Sequence, residues 1–238
     1  MIKIKNLSKT FVDANQSVMV FDNFNLEIAQ NELVIIFGPS GCGKSTLINL
    51  MTGTESYGSG SIEGLHGIKK IGYVSQRNSL LPWLKVIDNI AFGLKLQGMN
   101  KESRHKEALK LLGEMDLIGY SNFYPNQLSG GLSQLISFAR SVAFKAEFML
   151  MDEPFSSLDF FVRNKLQDII LKIHKKRGLT TVFVTHQVDE ALYLGDRVIA
   201  LSASKPTRIL LELDTKGVKD KKSEFFYKLQ RELLSCYQ

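Results

Sequence analysis

The run Gly38-Pro39-Ser40-Gly41-Cys42-Gly43-Lys44-Ser45-Thr46 leaves this chain fewer ways to fold than any other stretch of it. It satisfies G-x-x-x-x-G-K-[ST], a pattern with a mechanical meaning. Before it stands Glu32-Leu33-Val34-Ile35-Ile36-Phe37, apolar and β-branched, which reads as a buried parallel strand. After it, Ser45 to Met51 has the composition of a helix start. Glycines at 38, 41 and 43 let the backbone bend tightly and turn successive N–H groups inward, making a concave anion site. The helix that follows adds the partial positive charge of its N-terminus. In such a loop Lys44 reaches the β- and γ-phosphates as a point charge, and Ser45 offers its hydroxyl to Mg2+. The competing reading, a glycine-rich turn with no ligand, needs strand, spacing and helix start to coincide by chance.

The 238 residues allow one large domain or two small ones. No apolar run approaches the roughly 20 residues of a membrane helix. Met1-Ile2-Lys3-Ile4-Lys5 has charge but no apolar stretch behind it, so no signal peptide is expected. Of the two cysteines, Cys42 sits inside the loop, where a disulfide would obstruct a ligand. Both therefore read as thiols in a reducing compartment. The net charge of +6 suits nucleic acid, an anionic membrane surface or plain solubility. Much of it comes from Lys175-Lys176-Arg177 and from 216–222, where solvated surface lysines are the simpler reading.

In chain order, Ile2-Lys3-Ile4-Lys5 and Phe24-Asn25-Leu26-Glu27-Ile28 alternate as half-exposed strands do. Leu7-Ser8-Lys9-Thr10-Phe11 and a polar turn from Asp13 to Ser17 lie between them. Phe11 alone reads as core, with stacking on a base as the alternative. Gly53, Gly58, Gly60, Gly64 and Gly67 supply turns between short strands. Ile71-Gly72-Tyr73-Val74-Ser75 is a core strand ending at Gln76, where a polar side chain meets a ligand readily. From Val86 to about Gly113 the pattern is helical, with Asn100 as an N-cap and Gly113 as a stop. Leu94, Leu96, Ala108, Leu109, Leu111 and Leu112 are its expected core face.

Three further places carry chemistry. In Leu128-Ser129-Gly130-Gly131 a serine and two glycines open an apolar helix expected over Leu135 to Ala146, and helix N-terminal N–H groups there make a second anion site. Phe148-Met149-Leu150-Met151 is a buried strand ending in Asp152-Glu153, the form of a Mg2+ carboxylate next to a water-activating one. Ser157-Leu158-Asp159 enters a helix expected to end near Gly178. Thr180 to Thr185 is a β-branched strand with His186 at its end, placed to touch a γ-phosphate. Val198 to Leu201 and Ile209 to Leu211 read as strands, and 223–235 as an amphipathic helix.

These motifs, in this order, resemble the nucleotide-binding subunits of ATP-binding-cassette transporters over roughly residues 1 to 212. A narrower likeness, to importers of the nitrate, sulfonate and taurine type, rests on Leu80-Leu81-Pro82-Trp83-Leu84, on 88–94, on 151–155 and on 184–191. The resemblance implies an α/β fold with a P-loop (RecA-like), mostly parallel sheet core. An N-terminal antiparallel β subdomain and an inserted α-helical subdomain at 87–146 would complete it, the core spanning 1–86 and 147–212 and a helical tail 213–238. It also implies a head-to-tail homodimer, with ATP between the phosphate loop of one copy and the signature of the other. Phe11 would then stack on adenine and Gly38 to Thr46 hold the phosphates. Ser45 and Gln76 would contact Mg2+, supported by Asp152. Glu153 would be the general base and His186 would bridge to the γ-phosphate. Ser129, Gly130 and Gly131 would complete the site in trans, with Asp159 across the interface.

The implied protein is a peripheral ATPase on the cytoplasmic membrane face. It would energise separate transmembrane permease subunits that meet the segment from Gln76 to Asp88, including Trp83, with a solute-binding protein as an indirect partner and no nucleic acid. Two departures from the family pattern stand out. Ser133 and Leu135 replace more polar or basic residues, which is expected to weaken signature closure. Gln187 stands where an aspartate is usual, and little effect is expected. Two other functions stay open: a soluble cassette ATPase acting on DNA or ribosomes, and a small-molecule P-loop kinase. The first lacks the long coiled coil or second cassette of such proteins, and the second has no use for the signature.

Overall fold

The computed structural model describes residues 1–13, 16–65, 68, 70–76, 79–156, 158–218 and 220–237. Gly67, Ser157 and the middle of the polar turn at 13–17 lie outside the described residues. Along the described chain the elements run β1 (Ile2–Asp13), β2 (Gln16–Ile28), β3 (Leu33–Phe37), α1 (Lys44–Thr52), β4 (Ser59–Glu63), β5 (Ile71–Val74), α2 (Val86–Leu96) and α3 (Lys101–Glu114). There follow α4 (Gly130–Ala143), β6 (Phe148–Asp152), α5 (Phe160–Arg177), β7 (Thr180–Thr185), α6 (Val188–Leu194), β8 (Arg197–Leu201), β9 (Ile209–Asp214) and α7 (Glu224–Ser235). They gather into two units, one of Met1–Lys69 with Thr180–Gln238, the other of Lys70–Leu179.

The first unit holds two kinds of sheet. β3 is flanked in parallel by β7 and β8, and β9 adds to β8 antiparallel. All five residues of β3 and all six of β7 are buried, as unbroken β-branched runs in a parallel sheet should be. The second sheet is antiparallel, in the order β2-β1-β4. Helix α6 packs on β3 and β7, and α7 on α6.

The antiparallel sheet corrects the expected boundaries. Two short strands with a separate segment between them are one long hairpin, Asp13 pairing with Gln16. The register slips between Ile4, Leu7, Lys9 and Thr10. Asn6 and Asn23 take φ of +47° and +48°, and each bulge re-phases the alternation of faces. Period-two reading therefore stops at Lys5 although the strand does not. Helix α6 is a further addition, since sequence reading passed from β7 directly to β8.

In the second unit β5 and β6 pair in parallel, Val74 opposite Met151. Helix α4 packs on β5, α2, α3 and α5. The helical run from Val86 is two helices, with Gly98 at φ +81° between them. Asn100 caps α3 as expected, its side chain accepting from the Ser103 N–H at 2.9 Å. Gly113 does not stop that helix, which runs on to Glu114 before Asp116 takes the left-handed turn. Leu96 and Leu109 leave the expected core face and are exposed, whereas Leu94, Ala108, Leu111 and Leu112 are buried. Helix α4 begins at Gly130, five residues before the expected start. Among the described residues, no helix is long and apolar enough to cross a membrane.

Candidate functional site

The phosphate loop belongs wholly to the first unit. Gly41 and Gly43 take φ of +80° and +104°, where any Cβ strains the backbone. At Gly43 a Cβ would also stand 2.8 Å from Val20 Cγ1. Gly43 caps α1, so the N–H groups of that helix's first turn have no carbonyl partner within it. Lys44 is 5% exposed, and its Nζ donates to the carbonyl oxygens of Gly38 at 2.9 Å and Pro39 at 3.0 Å. The ammonium thus ties the start of the loop to its end. Thr207 Oγ1 donates to the Cys42 carbonyl at 2.6 Å and holds the loop from the other side. Ser40, Gly41 and Ser45 are exposed, and Pro39 and Thr46 are half-buried. Neither Cys42 nor Cys236 forms a disulfide.

Two other residues of this unit were singled out. Phe11 is 39% exposed, which sets aside its reading as core. The Lys9 ammonium lies 4.5 Å from its ring centroid, a cation–π contact that fixes one face of the ring. His186 follows β7 and is exposed. Gln187 Nε2 lies 3.1 Å from His186 Nε2. Gln187, expected to matter little, touches the histidine directly. Beneath both, Thr185 Oγ1 donates to the buried Glu190 carboxylate at 2.6 Å and accepts the Gln187 N–H at 3.0 Å.

The second unit carries the rest. Asp152 ends β6, and Glu153 begins the turn after it with φ +43°. A non-glycine residue in that region is strained, and such strain concentrates at working sites. Gln76 Nε2 donates to Ser156 Oγ at 3.2 Å, so β5–β6 pairing brings the glutamine to the turn after Glu153. Burial first, and the Asp152 charge second, push the Tyr73 phenol above its ordinary value. Ser129 is the N-cap of α4, accepting the Leu132 N–H at 3.4 Å. A Cβ on Gly131 would stand 2.6 Å from Val162 Cγ1, whereas one on Gly130 would meet only Leu158 at an ordinary 3.7 Å. Neither glycine has positive φ. Gly131 is needed for packing on α5, and among the described residues nothing makes the same demand at Gly130. Asp159 caps α5, accepting the Val162 N–H at 3.0 Å.

Ser133 and Leu135 are both 2% exposed. The departure from the family pattern therefore falls at buried positions. Sequence reading also missed three supporting side chains. Gln134 Nε2 donates to the Ser75 and Gln76 carbonyls at 3.1 and 2.8 Å. Arg140 donates to Ser79 O at 3.0 Å and Ser79 Oγ at 2.9 Å. Helix α4, whose N-terminus is the signature, therefore grips the glutamine segment on both sides of residues 77 and 78. Asn89 is fully buried. It accepts from Leu81 N–H at 2.8 Å and donates to Leu81 O at 3.1 Å and Leu84 O at 2.9 Å. It shapes the loop that presents Trp83, 69% exposed. No local pattern marks these three, since all but one of the partners named are backbone atoms.

Among the described residues, no group of three or more His, Cys, Asp or Glu side chains could hold a metal ion. The Ser45 hydroxyl, exposed in the first unit, and the Asp152 carboxylate, half-buried in the second, are each an oxygen ligand of the kind Mg2+ takes singly when it keeps waters and substrate phosphates.

Comparison with known proteins agrees with this geometry. The family model described as ABC transporter matches residues 21–156. The chain is 40% identical to an uncharacterized ABC transporter ATP-binding protein of Methanocaldococcus jannaschii, over 98% of this chain and 90% of that one. It is 35% identical to the aliphatic sulfonates import ATP-binding protein SsuB of Bacillus cereus, over 100% and 96%. It is 39% identical to the taurine import ATP-binding protein TauB of Chromobacterium violaceum, over 83% and 77%. Two solved structures align with TM-score 0.78 and 32% identity over 91% of this chain and 100% of theirs: the dimeric structure of MJ0796, a bacterial ABC transporter cassette, and a post-hydrolysis state of that cassette bound to ADP and Pi. The family model over residues 21–156 and relatives 35–40% identical over 77–96% of their own lengths place this chain, with its phosphate loop, acidic strand end, serine–glycine helix cap and strand-end histidine, in the ABC transporter family.

Proposed function

We propose that the chain is the ATP-binding and ATP-hydrolysing subunit of an importer for a small anionic solute of the sulfonate, taurine or nitrate kind. The observation that carries the ATP site is the pair of helix N-termini, at Lys44 and Gly130, each able to hold phosphate oxygens. Among the described residues, a Cβ on Gly130 would meet only Leu158, at an ordinary 3.7 Å. A glycine there is accounted for by close approach of something from outside, and a nucleotide held on a second copy supplies it. The dimeric neighbour structures support that assembly. The names of the sulfonate and taurine relatives support the solute class and the import direction.

In this reading Phe11 stacks on adenine, and residues 38–46 bind the phosphates through N–H groups and the Lys44 ammonium. Ser45, Gln76 and Asp152 hold Mg2+, directly or through water, and the ion when bound neutralises phosphate charge. The Glu153 carboxylate takes a proton from the attacking water, its strained backbone fixing the direction of the side chain. His186 contacts the γ-phosphate. Ser129, Gly130 and Gly131 of the partner copy close the pocket, and Asp159 lies across that interface. Trp83 and its loop meet a permease helix at the cytoplasmic membrane face, and a solute-binding protein delivers cargo to the permease.

Glu153→Gln tests the core of the reading. Removing a general base should slow phosphate release by about two to four orders of magnitude while leaving ATP binding intact. Phosphate release at the unaltered rate would end Glu153's assignment as base.

A further inference from the structure

The residues after β9 take no part in the chemistry above, yet one of them stands directly behind the phosphate loop. Helix α7 is fastened to the first unit by Phe226, Leu229 and Leu233, all buried, and by Gln230 Nε2 donating to Asp189 Oδ1 at 3.1 Å. Just beyond it, Tyr237 Oη donates to the Leu201 carbonyl at 2.7 Å. Its ring meets Phe37 edge-on, with centroids 5.8 Å apart. Phe37 is the last residue of β3, one before Gly38. The Leu201 carbonyl that takes the Tyr237 hydrogen bond is also the atom a Cβ on Gly38 would meet at 3.3 Å. The Gly38 carbonyl, in turn, accepts from Lys44 Nζ. The Tyr237 hydrogen bond therefore ends on a carbonyl that stands close beside Gly38, whose own carbonyl holds Lys44. A second contact reaches the loop through Phe37.

From this convergence we infer that Tyr237 is a positioning residue for nucleotide binding: the α7 segment is a strap that sets the rest geometry of the phosphate loop through Leu201 and Phe37. Burial, foremost, and the neighbouring Cys236 and Cys42 thiols raise the tyrosine's pKa far above its ordinary value, so the phenol keeps the proton it donates. The strap acts before chemistry. Removing it should loosen the site that greets the phosphates without touching the base or the attacking water.

The inference rests on residues 38–46 being the ATP site, and the experiment separates the two. Lys44→Ala, Tyr237→Phe, Tyr237→Ala and Phe225→Ala would be compared for the dissociation constant of a fluorescent ATP analogue and for KM and kcat. Tyr237→Phe, which keeps the ring, should raise the dissociation constant and KM about three- to tenfold, the worth of one neutral hydrogen bond, with kcat at saturating ATP unchanged. Tyr237→Ala should exceed that. Phe225→Ala, at an exposed position of α7, should change neither. The strap is overturned if Tyr237→Phe folds and binds the analogue like the native chain while Lys44→Ala abolishes binding. A lowered melting temperature with unaltered KM overturns it equally, because Tyr237 then supports the fold only. If Lys44→Ala binds the analogue normally, it is the assignment of residues 38–46 that fails.

Discussion

Two glycine-rich turns each open a helix in this molecule, and their glycines answer to different constraints. In the phosphate loop Gly41 and Gly43 are required by the backbone itself, at φ +80° and +104°. In the signature, Gly131 is required by a neighbour, since a Cβ would overlap Val162, and Gly130 by neither its backbone nor any described neighbour. The first turn carries its own shape in consecutive residues. The second takes an ordinary helix start and depends on what surrounds it. The same residue type marks conformation in one place, packing in another, and room for an incoming group in a third.

Substitutions can break that distinction. Gly43→Ala should be the most damaging, combining a left-handed backbone with overlap on Val20. A loss of about 2–4 kcal/mol in denaturant unfolding, together with lost nucleotide binding, is expected. Gly131→Ala should cost about 1–3 kcal/mol by overpacking against α5 while the lone subunit still binds ATP. Gln134→Leu sharpens the contrast from the supporting side. It removes a donor shared by the Ser75 and Gln76 carbonyls and should cost about 1–2 kcal/mol, with hydrolysis falling more than ATP binding. Gly130→Ala should leave stability within about 0.5 kcal/mol and yet depress hydrolysis at least tenfold. A Gly130→Ala protein with unaltered turnover would mean that nothing comes close to that residue during the cycle.

The same distinction explains what could be read in advance. The glycine turn between β3 and α1, the strands β3 and β7, the Asn100 cap and the Gly178 stop are local statements, and the structure bears them out. The family followed from the order of short motifs. What escaped were features defined by distant or backbone partners: the bulges at Asn6 and Asn23, the continuation of α3 through Gly113, and the grips of Gln134, Arg140 and Asn89. Leu96 shows the same limit. A helical repeat counts it among core residues, and only the packed neighbours of α2 decide that it is exposed.

Asn89 has one further consequence. Its buried amide fixes three backbone groups of the 81–84 loop, so Trp83 is presented on a rigid mount with little freedom left to lose. A partner seated on that ring would meet a preorganised knob, and little of the binding energy would go into ordering it. A stiff mount also carries displacement with little slack, as a lever must if a small change around a nucleotide is to be felt at a distance.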